Sequence, residues 1–101
     1  MKLERGTVYR IEFADHGQDF LDWYVKDGIV IDCQPFQSRL WMGTKVTVRA
    51  IELGQQLPIH TRRGNAMTIK YPIVTIDRLL PEQAKEAEEA FRSWLQEVEN
   101  E

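Results

Sequence analysis

The chain has 101 residues, of which 43% are hydrophobic and 29% charged, with a net charge of −3 and a single cysteine. These are the proportions of a globular chain with room for one core. They exclude a disulfide framework and a cysteine-based zinc motif, and no apolar run approaches the roughly 18–20 residues that a membrane helix needs.

The opening stretch "MKLERGTVYR" carries charges where a secretory signal has an apolar run, and one thiol, Cys33, suits a reducing compartment. A cytoplasmic location is therefore expected. The charge is unevenly spread. Residues 39–78 carry seven Lys/Arg against two acids, and residues 79–101 carry two against seven. A basic centre lies between two acidic flanks, which bears on partners more directly than the total does. No linker, repeat or low-complexity tract interrupts the chain, so a single domain over 1–101 is expected, with strands in 1–78 and a helix over 79–99.

In "TVYRIEF", Val8, Arg10 and Glu12 alternate with Tyr9, Ile11 and Phe13, the period of a half-buried strand. "ADHGQD" breaks it with turn-forming residues. "DFLDWYVKDGIVIDCQP" reads as a hairpin around Asp27-Gly28. Placing Leu21, Trp23, Val25, Ile29, Ile31 and Cys33 on one inward face requires Trp23 opposite Ile31 and Leu21 opposite Cys33. That parity implies a three-residue loop, Lys26-Asp27-Gly28, rather than a two-residue turn.

"LWMGTKVTVRAIEL" offers a further strand, with Val46, Val48 and Ala50 inward and Lys45, Thr47 and Arg49 outward, ended by "GQQLP". In "IHTRRGNAMTIKY", Ile59 and Thr61 should share a face with Met67, Ile69 and Tyr71. An odd loop follows, most simply Arg63-Gly64-Asn65 with Asn65 left-handed, leaving His60, Arg62, Thr68 and Lys70 on a polar face. "YPIVTI" is a short last strand with Pro72 at its start.

The period then changes. Ala84, Ala87, Phe91, Trp94, Leu95 and Val98 recur at helical spacing, with Pro81 in the first turn and Glu82 at its positive end. Strands followed by one helix make an α+β fold: a twisted antiparallel sheet or partly closed small barrel of about five to six strands, with one C-terminal amphipathic helix packed across it.

The basic positions Arg39, Lys45, Arg49, His60, Arg62, Arg63 and Lys70 come from neighbouring strands, and Trp41 stands beside them. Clustered cations with an aromatic are what phosphate contact and base stacking require, and the same cations would meet an acidic protein surface. The other polar groups offer less. Asp15, His16, Asp19 and Asp22 match no calcium loop and no helical histidine pair, so no metal site is expected. Cys33 falls in an apolar set and is expected to be inert. No phosphate loop, dinucleotide fingerprint or nucleophile elbow occurs, and no cofactor is implied.

"RGTVYRIEF" and "IVTIDRLLPEQAKEAEEAFRSWL", together roughly a third of the chain, resemble the opening strand and the closing strand and helix of the MazF-type toxin ribonucleases. The resemblance implies a small barrel with a C-terminal helix. It departs from that family after the first strand, where "DFLDWYVKDG" replaces an Arg-Pro step into an apolar strand, and it carries over no catalytic residue.

The expectation is a non-enzymatic binding module that meets nucleic acid or an acidic protein surface through its basic strand face and hairpin 60–70. Homo-oligomers, basic sheet against acidic helix, are consistent with the charge pattern. Two alternatives stand beside it: a toxin-type ribonuclease or phosphodiesterase using His60 and Arg62, and an interaction or inhibitor module presenting the acidic C-terminal helix.

Overall fold

The computed structural model describes residues 1–14, 22–34 and 41–100. Seven strands form one antiparallel sheet curled into a half-barrel: β1 (Val8–Phe13), β2 (Asp22–Lys26), β3 (Ile29–Gln34), β4 (Lys45–Val46), β5 (Leu57–His60), β6 (Ala66–Ile69) and β7 (Ile73–Arg78). Their order is β6-β5-β4-β3-β2-β1-β7. A short helix, α1 (Val48–Leu53), separates β4 from β5, and α2 (Pro81–Glu99) follows β7. The α+β architecture and the C-terminal helix agree with expectation. The seven strands slightly exceed the five to six expected.

The inner face holds the core. Ile11, Phe13, Trp23, Val25, Val30 and Cys33 join Trp41, Met42, Leu57, Ile59 and Ile69 in one buried cluster. The period-two reading of β1 holds on this face, where Tyr9, Ile11 and Phe13 are buried. Val8, on the outer side, is buried as well, because α2 covers it: Val8, Ile31 and Ala87 form a second cluster under the helix.

The β2–β3 hairpin departs from the expected register. Lys26 pairs with Ile29, leaving a two-residue Asp27-Gly28 turn, and both residues have positive φ, 51° and 77°. That is the primed turn whose twist matches the flanking strands, and Asp-Gly is well suited to it. Parity is restored further along by a bulge. Val25 pairs with Val30 and Tyr24 with Asp32, so Ile31 is an extra residue, and Trp23 faces Cys33. The parity argument assumed an unbroken ladder. With the bulge, Val30 and Cys33 point inward while Ile29 and Ile31 turn to the outer face, correcting their inward assignment. Leu21 lies outside the described residues.

The expected strand through Val46, Val48 and Ala50 stops at Val46. From Val48 the chain is helical, burying Ala50 and Ile51 side by side as an alternating strand would not. Gly54 ends the helix at φ 68°, with its N–H bonded to the Ile51 carbonyl (3.1 Å) and the Gln55 N–H to that of Ala50 (2.9 Å). This Schellman closure satisfies two terminal carbonyls. Arg49 is thus a helix residue, 3.6 Å from Glu52, and not part of a strand face.

Hairpin β5–β6 keeps the expected odd loop and the expected faces, but its register is shifted by two. Ile59 pairs with Met67 and Leu57 with Ile69. The Thr61 N–H reaches the Asn65 carbonyl (2.9 Å) and the Gly64 N–H that of Thr61 (2.8 Å), so the loop is Arg62-Arg63-Gly64. Gly64, at φ 89°, takes the left-handed position assigned to Asn65, as the residue without a Cβ penalty.

Helix α2 begins as its sequence indicates, with Pro81 in the first turn and the Gln83 Oε1 accepting the Leu80 N–H at 3.4 Å. Lys26 Nζ meets Glu88 Oε1 at 2.9 Å and ties β2 to the helix. The tightest fit is at Trp94, 9% exposed. Gly43, at φ 82°, leaves the space its ring fills, and a Cβ there would stand 2.7 Å from Trp94 Cη2.

Gly43→Ala should combine left-handed strain with displacement of the indole and lower the unfolding free energy by about 2 kcal/mol or more. Urea denaturation reads this directly, and an unchanged midpoint would refute the close approach. Trp94→Ala should cost more, about 3–5 kcal/mol. Deleting residues 81–101 uncovers Val8 and Ile31 and should yield an aggregating product; a soluble, folded one contradicts the packing.

Candidate functional site, a basic groove beside the C-terminal helix

Strand register brings part of the basic set together. Ile29 pairs with Lys45, and Lys45 with His60, so the three stand in one row on the outer face of β3, β4 and β5. Lys45 and His60 are both exposed. The second half of α2 runs beside this row. Between them lies an open groove of about 680 Å³, lined by Ile29, Lys45, His60 and Arg62 and, from the helix, by Phe91, Trp94, Leu95 and Val98. Thr61, Gly43 and Gly64 complete the lining.

The hairpin tip closes one end. The Arg62 guanidinium lies 5.5 Å from the centroid of the Trp94 ring, a cation–π contact that holds the tip against the helix. Trp94 in turn stacks on Phe91, with centroids 5.6 Å apart and rings 16° from parallel. The groove is therefore apolar along the helix and cationic along the strands. Among its described lining residues there is no carboxylate.

The remaining sequence candidates lie elsewhere. Arg63 is exposed on the same hairpin tip. Lys70 lines a separate cleft with Gln55, Gln56, Tyr71 and Pro72. Arg49 is on α1, beside Glu52. Trp41 is buried in the inner core, 5.4 Å from the Trp23 ring centroid, not displayed on the surface. Arg39 lies outside the described residues, as do Asp15, His16 and Asp19. Cys33 is buried, as its apolar neighbours imply. No group of three metal-ligating side chains occurs among the described residues.

Sequence reasoning missed the apolar half of the groove. Phe91, Trp94 and Val98 pack on the core as their helical spacing predicts, yet together with Leu95 they also line the groove, which the spacing alone does not show. The signal was the stripe's width: Leu95, adjacent to Trp94, remains 36% exposed because the sheet cannot cover both.

The chain matches no family model, no curated protein and no solved structure. Its site is accordingly read from its own chemistry. The lining can hold a ligand that joins negative charge to apolar surface, which is the usual make-up of a binding groove with a few convergent polar groups.

Arg62→Ala removes the contact with Trp94 and should lower stability by about 0.5–1 kcal/mol, whereas Lys45→Ala should change it by less than about 0.5 kcal/mol. Equal denaturant midpoints for the two variants would show that Arg62 does not anchor the tip.

Proposed function

We propose that the protein is a non-enzymatic binding module whose groove takes an anionic partner, either nucleic acid or an acidic protein surface. The observation that carries this reading is the cross-strand pairing of Lys45 with His60, with Arg62 at the groove end and no carboxylate among the described lining residues. Cations gathered on one wall attract an anion more strongly than the same cations scattered.

The aromatics favour an acidic protein segment over nucleic acid. Base stacking needs an open aromatic face. Trp41 is buried, and Trp94 is engaged by Phe91 and Arg62. An acidic segment with apolar residues would place carboxylates on Lys45, His60 and Arg62 and its apolar side chains along Phe91, Leu95 and Val98. No helix among the described residues is long and apolar enough to cross a membrane.

Fluorescence anisotropy across a salt series tests the proposal, with labelled single- and double-stranded DNA and RNA and a labelled peptide alternating Glu and Leu. At least one probe should bind at low salt and weaken as salt rises, and Lys45→Glu/Arg63→Glu should abolish the binding. If nucleic acid binds, each removed phosphate contact should reduce the log–log salt slope by about 0.7–0.9. Absence of binding by every probe at low salt would overturn the proposal.

A further inference from the structure

A second cavity lies beside the first turns of α2, at the other end of the helix from the groove, and its lining has a different chemistry. On the outer face, Asp77 of β7 pairs with Arg10 of β1, Arg10 with Tyr24 of β2, and Tyr24 with Asp32 of β3. Four adjacent strands thus set an acid, a guanidinium, a phenol and an acid in one row, with neighbours as close as direct cross-strand partners are. The early turns of α2 cover the row. Gln83, Glu86 and Ala87 from the helix, with Gln34, Arg78 and Leu79 at the margins, enclose about 360 Å³. A row fixed by strand register and roofed by a helix is held more rigidly than a cluster on loops.

Arg10 is the group its surroundings leave incomplete. Its ion-pair partner among the described residues is Asp77, at 3.4 Å, and its side chain and that of Asp77 are 40% and 57% exposed. Its Nε–H is shut off from solvent and has no acceptor among the described residues. A buried donor without an acceptor is uncommon and marks a place where an acceptor is expected. Tyr24 adds a second donor. Burial foremost, then the charge of Asp22, pushes its pKa above the ordinary phenol value, so the hydroxyl keeps its proton.

The charges of the lining decide what kind of molecule fits. The lining sets Arg10 and Arg78 beside Asp32, Asp77 and Glu86, and Arg78 also bridges to Glu4 at 2.7 Å, outside the pocket. A simple anion would face three carboxylates and a simple cation two guanidiniums. A molecule carrying both signs a few bonds apart meets each with its opposite.

We propose that this pocket is a binding site for a small zwitterion of the amino-acid kind. Its carboxylate accepts from the Arg10 guanidinium and the Tyr24 hydroxyl, and its ammonium donates to Asp32 and Glu86. The site is separate from the basic groove, shares no lining residue with it, and stands whether or not the groove binds an anion.

Isothermal titration of the full chain with each of the common free amino acids, beside acetate and ethylammonium as single-charge probes at matched ionic strength, tests it. At least one amino acid should give a saturable isotherm, at least tenfold tighter than either single-charge probe. Arg10→Gln should raise its Kd at least tenfold. Glu86→Gln, an exposed helix position that leaves the sheet untouched, should also raise it, and Lys45→Glu/Arg63→Glu should leave it unchanged. Failure of every amino acid to saturate, binding equally tight for acetate or ethylammonium, or binding that survives both Arg10→Gln and Glu86→Gln would overturn the proposal.

Discussion

Strand β3 is buried on both faces, and the position of α2 follows from that. Val30 and Cys33 face the inner core, while Ile29 and Ile31 face outward, because the bulge at Ile31 reverses the alternation. A strand apolar on both sides needs a second layer. The helix supplies it through Ala87 and Phe91, and Lys26 reaches Glu88 from the neighbouring strand. The helix is nineteen residues long and packs through both halves, Ala84 and Ala87 in the first and Phe91, Trp94 and Val98 in the second. The two clefts of the molecule lie beside those halves, the polar one by the first turns and the basic one by the last.

Much of this was legible wherever a single period dominated. β1 alternates cleanly through Tyr9, Ile11 and Phe13, and the stripe from Ala84 to Val98 has helical spacing with a proline at its start. Legibility failed where two local rules competed. At Asp27-Gly28, parity asked for an odd loop and turn chemistry for an even one. Turn chemistry prevailed, and the chain absorbed the mismatch as a bulge that no side-chain pattern announces. In "KVTVRAIEL", Val46, Val48 and Ala50 fit a strand, but Ala50 and Ile51 are buried together and Gly54 closes a helix.

The candidate site was legible by charge and not by shape. Lys45 and His60 were expected on the outer face and stand there as a pair. Arg49 was lost with its strand, and Trp41 went to the core beside Trp23. The row of Asp77, Arg10, Tyr24 and Asp32 was beyond sequence reading for a plain reason. Its members come from four strands whose mutual register depends on a bulge and on a pairing that joins the two ends of the chain.

That last pairing has a consequence for how the chain folds. β6 and β7 are consecutive in sequence yet occupy opposite edges of the sheet, joined only by Lys70, Tyr71 and Pro72. At about 3.6 Å per residue, so short a link holds the two edges at that end within roughly 14 Å of each other. The hairpins β2–β3 and β5–β6 close small loops within themselves. β1, by contrast, meets β7 through pairs such as Tyr9 with Arg78, across nearly the whole chain. Loop-closure entropy grows with that separation, so the seam between β1 and β7 is the costliest contact to make unaided. The short link lessens the cost: once β2 to β6 have curled, β7 is already held near the edge where β1 waits.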